Sequence, residues 1–305
     1  MTSVEPGPSF LVVGAARAGS TAVAEGLRAH PDVFVTQPKE PHFFALSPGP
    51  VRFTGPGDAE TINRIAVTDL DAYRALYPTP GAFLAAGEGS VSTLYYHHHS
   101  IPAIQAMNPD MRIVVILREP VQRAFSSFQY LRVRGSEPLD DFLAAVDDEP
   151  RRKELGWHHL WHYTGMSEYA DAVAAFTQQF PEQVGIWFHD DLERDPDSVI
   201  ADIQRFVGVD PSRAAAADNQ RVNASGQPRR RAVHAAMTWA TRHETLRTTV
   251  KAVVPFRLRE AIRNANLAPA EGFDDAYRAL APRFRTDLQQ LEDVLDRRLP
   301  AAWRR

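Results

Sequence analysis

The stretch Phe10-Leu-Val-Val-Gly-Ala-Ala-Arg-Ala-Gly-Ser-Thr21 constrains this chain more than any other. Its first four residues, Phe10 to Val13, are apolar without interruption, the pattern of a strand buried on both faces of a parallel sheet. Gly14 breaks the run, and a loop of small residues follows. Ser20 and Thr21 then open a helical pattern through Glu25, Leu27 and Arg28. Strand, small loop and helix start together make a phosphate cradle. The first N–H groups of a helix have no partner within it, and its dipole favours an anion there. The spacing nearly matches G-x-x-x-x-G-K-[ST], with Gly14, Gly19 and Thr21 in place and Ser20 where the lysine would stand. The loop carries a cation at Arg17 instead. The stretch therefore predicts a site for an anionic nucleotide, without ordinary ATP chemistry.

The rest of the chain supplies strands and helices in alternation. Arg112 to Leu117 reads as a second buried strand, ending at the charged Arg118. Val33–Val35, Phe83–Glu88 and Val184–Phe188 read as three more. Helices are expected over Asp69–Tyr77, Val121–Val133, Tyr169–Phe180 and Ser198–Val207, the last stopped by Gly208. Ser47 to Asp58 is rich in Pro and Gly and is expected to be a surface loop or lid. Asp190 to Pro196 reads as a loop and N-cap feeding the helix at Ser198. Beyond Arg231 the pattern is helical and amphipathic, with a break at Pro255. Alternation of this kind predicts an α/β class: a P-loop-like three-layer fold, its central, mainly parallel sheet flanked by helices. One domain over 1–305 is expected, with a helical C-terminal extension from about 232.

Composition narrows the function classes. The net charge of −4 gives no global attraction to nucleic acid or membrane, so neither is an expected partner and any anion site must come from local arginines. With no cysteine, disulfides, thiolate zinc sites and cysteine nucleophiles are excluded. The start has neither a basic nor an apolar signal-like segment, and no apolar run approaches the roughly 20 residues of a membrane span. A cytoplasmic location is the expectation, and a homo-oligomer is compatible with it.

In an open parallel sheet, ligands bind outside the carboxyl ends of the strands. A magnesium-dependent phosphotransferase would want an Asp at the end of a second strand. This chain has Arg118 there, suited to bidentate phosphate recognition without a metal. Ser126, eight residues on, can share that phosphate; the bland alternative pairs Arg118 with an acid and leaves Ser126 on a helix surface. Glu40 lies between Pro38 and Pro41, either as a general base or as a solvent-facing loop cap, with His42 a second candidate base. His97-His98-His99 invites a metal reading, but adjacent side chains are expected to diverge, only His97 and His99 to share a strand face, and no third ligand is evident. Trp157 to Tyr163 fits an acceptor pocket and a packed core equally. Arg229 to Arg231 is open to a binding role or to a solvated face.

Gly14–Thr21, Lys39-Glu-Pro-His-Phe-Phe44, Glu88-Gly-Ser90, Arg118-Glu-Pro with Ser126, and Asp190 to Pro196 occur in the order and spacing of one known family. The chain resembles the sulfotransferases that use 3′-phosphoadenosine 5′-phosphosulfate (PAPS), in particular the bacterial branch and the heparan sulfate sulfotransferase domains. The resemblance implies that Ala16, Arg17, Ala18, Gly19, Ser20, Thr21 and Ala22 wrap the 5′-phosphosulfate. It implies that Arg118 and Ser126 hold the 3′-phosphate, with Arg229 or Arg231 closing over it. Glu40 matches the family's proposed general base, and Ser90 and His97 fall where acceptor contacts are expected. Arg17 stands where most relatives carry a catalytic lysine; it can neutralise charge on the bridging oxygen but cannot donate a proton. The expected reaction is in-line sulfuryl transfer to a hydroxyl of a glycan or secondary metabolite, releasing 3′-phosphoadenosine 5′-phosphate (PAP) and requiring no metal. A nucleotide kinase or related phosphotransferase, and a nucleotide-binding protein without catalysis, are the alternatives.

Overall fold

The apolar run of the cradle becomes the middle strand of a five-stranded sheet. A computed structural model of the chain describes residues 5–214 and 273–304. Strand β1 (Phe10–Gly14) is buried along its whole length, as its unbroken apolar sequence requires. The other strands are β2 (Val33–Val35), β3 (Ala85–Glu88), β4 (Arg112–Leu117) and β5 (Val184–Phe188). They lie in the order β2-β3-β1-β4-β5, and every pairing is parallel. In register, Phe10 faces Gly87 of β3 on one side and Arg112 of β4 on the other. The chain thus leaves β1 toward one edge, returns as β3, and crosses to β4 on the far side. That reversal opens a crevice at the carboxyl ends of β1, β3 and β4.

Helices flank the sheet and set that crevice. Helix α1 (Ser20–Arg28) buries Val23, Ala24 and Leu27 and keeps Thr21 exposed. Next come the short α2 (Phe43–Leu46), α3 (His97–Met107) and α4 (Pro120–Val133). Pro120 opens α4, where a missing N–H costs nothing, and the Glu119 carboxylate accepts from the N–H groups of Val121 and Gln122 at 3.1 and 2.6 Å. α5 (Ala170–Gln179), α6 (His189–Arg194) and α7 (Pro196–Phe206) follow, and α8 (Phe273–Leu280) and α9 (Arg285–Leu295) close the described chain. Residues 5–213 and 273–304 belong to one compact unit. Among the described residues no helix is long and apolar enough to cross a membrane.

The five strands and helices α1, α4, α5 and α7 fall within two residues of where the sequence predicts them, whereas α3 has no counterpart among the expected helices; three details differ. His97 to His99 begin a helix rather than a strand, so they do not alternate between faces. Asp190 to Arg194 are helical, in α6, and only Asp195 acts as a cap, its carboxylate accepting from Ser198 N–H at 3.1 Å. Local polarity resembled a loop, but Leu192 is buried in the main core and holds the turn helical. Helix α7 accordingly starts at Pro196, two residues before the expected Ser198. The Trp157–Tyr163 stretch packs a second core with Val121, Phe128, Phe142 and Phe284, through Trp161 and Tyr163.

Candidate active site

Gly19 adopts a left-handed backbone (φ 102°), and no side chain caps the helix α1 that it starts. A Cβ at Gly19 would stand 2.5 Å from Leu192 Cδ2, so both conformation and space demand glycine. Ala16, Ala18 and Ser20 are buried, while Arg17, Gly19 and Ala22 are half-buried and Thr21 is exposed. The uncapped N–H end of α1 and the Ser20 hydroxyl form the first candidate group for an anion.

A second group sits at the end of β4. The guanidinium of Arg118 donates to the carbonyl of Arg17 at 3.0 Å, tying the end of β4 to the cradle loop. Tyr169 donates to the Arg118 carbonyl at 2.9 Å and fixes the backbone there. The Arg17 side chain turns toward α4. Its Nε donates to Ser126 Oγ at 3.3 Å, and its guanidinium lies 4.6 Å from the centre of the Tyr130 ring. Arg17, Arg118 and Ser126 are therefore neighbours, as a shared phosphate would require. Arg229 and Arg231 lie outside the described residues.

The third group comes from the loop before α2. Lys39 Nζ is 2.7 Å from Glu40 Oε1 and donates to Ser20 Oγ at 3.4 Å. The other Glu40 oxygen accepts from Val91 N–H at 3.5 Å. Burial works to raise the Glu40 pKa, but the Lys39 charge and these hydrogen bonds outweigh it and hold the carboxyl below its ordinary range. Glu40 is thus ionised at neutral pH. His42 is buried and neutral: burial above all pushes its pKa down to about 4. Its Nδ1 lies 2.8 Å from Ser92 Oγ, and its backbone N–H donates to Ser90 Oγ at 2.9 Å. Ser90 in turn donates to Glu88 Oε2 at 2.6 Å. Ser90 is buried, so it aligns the loop from within.

His97 belongs to a different constellation. Its Nε2 is 3.1 Å from Asp171 Oδ2, and the His98 Nε2 is 3.6 Å from the same oxygen. Adjacent histidines at a helix start do not diverge here, and the third group absent from the sequence reading is Asp171, 74 residues away. His97 and Asp171 border a cavity of about 180 Å³ that shares Ala15 with the cradle loop. Sequence reasoning gave no role to Lys39, Ser92 or Tyr130. The one local signal for Lys39 was its place beside Glu40; the others depend on contacts across the fold.

Fold and site together define a P-loop-like α/β protein with a helix N-terminus and an arginine–serine group side by side at the carboxyl ends of its strands. The chain belongs to the sulfotransferase family, whose model matches residues 8–213. It is similar to human heparan sulfate glucosamine 3-O-sulfotransferase 6, with 26% identity over 211 residues, 66% of this chain and 52% of that protein. Human bifunctional heparan sulfate N-deacetylase/N-sulfotransferase 3 is 27% identical over 221 residues, 67% of this chain and 22% of that protein. The chain spans about half the length of the 3-O-sulfotransferases it matches. Across nearly the whole of both chains, 98% and 99%, it is similar to the crystal structure of a sulfotransferase from Alicyclobacillus acidocaldarius, with 29% identity and a TM-score of 0.73.

Proposed function

We propose that this protein moves a sulfuryl group from PAPS to a hydroxyl of a glycan or small-molecule acceptor by single in-line displacement. The observation that carries the reading is the placement of its polar and charged groups around the cradle loop. One anion-binding group lies at the α1 N-terminus, a second at Arg118 and Ser126, and the ionised Glu40 stands beside the first. That donor set fits a nucleotide with one anionic group at each end of its ribose. PAPS supplies an activated sulfuryl group on its 5′-phosphate. The chain's residues bind both ends, exclude water and take up the acceptor proton. Glu40 is the base: its carboxylate is ionised and half-exposed, whereas His42 is buried and held by Ser92. A base with a depressed pKa is weaker than one poised near 7, but it is fully available at every physiological pH.

Glycan acceptors are favoured by the relatives named for heparan sulfate. No step of the proposed reaction needs a divalent ion, so turnover is expected to survive a chelator. Transfer of 35S from labelled PAPS to desulfated glycosaminoglycan oligosaccharides and to simple phenols tests the reading. Glu40→Gln should lower kcat by about 10²–10⁴-fold. PAP affinity should not weaken, because the substitution removes a negative charge from beside Lys39. Near-normal turnover in Glu40→Gln would contradict Glu40 as the base.

A further inference from the structure

Resting on that reading of the nucleotide, we infer that Lys39 supplies the cation at the 5′-phosphosulfate and that the Arg17 side chain serves the 3′-phosphate. The loop pattern lacks a lysine at position 20, and the one cation within the loop, Arg17, has its guanidinium against Ser126 and the face of Tyr130 on α4. Lys39 reaches the cradle from outside it. Its ammonium is within 3.4 Å of the Ser20 hydroxyl, at the first residue of α1, where a phosphate would accept from the uncapped N–H groups.

The fold builds this approach. Gly89 N–H donates to the Lys39 carbonyl at 2.9 Å, docking the lysine's backbone on the end of β3. A Cβ at Gly89 would lie 3.5 to 3.6 Å from the Cγ, Cδ and Cε atoms of Lys39, so the stem runs directly over that glycine toward Ser20. The lysine side chain is 16% exposed, which leaves its tip reachable by a ligand and its stem packed. In transfer, the acceptor oxygen forms a bond to sulfur and the bond from sulfur to the 5′-phosphate oxygen breaks. The acceptor proton goes to Glu40, and the electron pair stays on the phosphate oxygen. Lys39, paired with Glu40 at 2.7 Å, touches both places where charge changes. A fixed cation there stabilises the developing negative charge. An ammonium, unlike a guanidinium, can also give up a proton.

Calorimetric titration of the full chain with PAP, 5′-AMP and 3′-AMP separates the two ends of the nucleotide and needs no acceptor. Lys39→Met should weaken PAP and 5′-AMP by about 10- to 100-fold, the span of one charge-assisted hydrogen bond, and leave 3′-AMP unchanged. Arg17→Met should do the reverse, weakening PAP and 3′-AMP while sparing 5′-AMP. Lys39→Arg should restore most of the 5′-phosphate affinity, which a merely structural role for the side chain does not require. Lys39→Met binding PAP like the wild type, or Arg17→Met losing 5′-AMP as Lys39→Met does, would overturn the assignment while the nucleotide reading stands. Wild-type protein that binds PAP no tighter than 5′-AMP would overturn the nucleotide reading itself, and this inference with it.

Discussion

Glu88 is 1% exposed at the end of β3, and its Oε1 has no hydrogen-bond partner among the described residues. Burial pushes its pKa up to about 8; the Ser90 hydrogen bond opposes this, the Glu40 charge adds to it, and Lys39 opposes it again. The folded state therefore binds a proton at neutral pH that the unfolded chain, near the ordinary 4.5, releases. The stabilisation is full below about pH 4.5 and is lost as pH rises through about 8. Glu88→Gln cannot ionise, so its melting temperature relative to wild type should rise progressively between pH 5 and pH 9. Thermal melts across that range check this; parallel curves would mean that Glu88 is ionised in the fold. At the same scale, a neutral Glu88 leaves Glu40 as the single negative charge of the Glu40–Glu88 pair facing Lys39.

At the scale of elements, a buried ion pair lies against the aromatic rings of the second core. Arg152, in the helix Glu149–Glu154, makes two hydrogen bonds to Glu137 at 2.8 Å each, and both side chains are fully buried. The guanidinium also lies over the rings of Trp157, Trp161 and Tyr163. Removing one partner leaves an uncompensated buried charge, so Arg152→Met should cost about 3–5 kcal/mol of stability. The double change with Glu137→Leu should recover most of it. Urea unfolding measures both, and a double variant as unstable as the single one would show that packing, not charge, sets the cost.

What the sequence discloses follows the range of the forces involved. β1, β4 and β5 are legible because strands in a parallel sheet are apolar on both faces, and α4 because its proline and acidic cap are local signals. Helix α6 is not legible, since the burial of Leu192 that sustains it is a tertiary contact. The cradle could be read as a motif. The direction of its arginine could not, because Ser126 and Tyr130 lie 109 and more residues away in sequence. Lys39 is hidden for the same reason: its role depends on Gly89 passing beneath its stem.

For the whole molecule, the order β2-β3-β1-β4-β5 brings three strand ends to one crevice and gives each a separate task. β1 delivers the cradle, β3 the surface on which Lys39 and Glu40 dock, and β4 the arginine of the second anion group. The proposed two-ended binding predicts high affinity only when both ends of the ligand are charged. The most direct measurement is calorimetric titration of wild type and Arg118→Ala with PAP and with 5′-AMP, in the presence of a chelator. Wild type should bind PAP at least about tenfold more tightly than 5′-AMP, a difference of about 1.4 kcal/mol, and Arg118→Ala should abolish that preference. Equal binding of the two nucleotides by wild type, or a preference that survives in Arg118→Ala, would contradict the account.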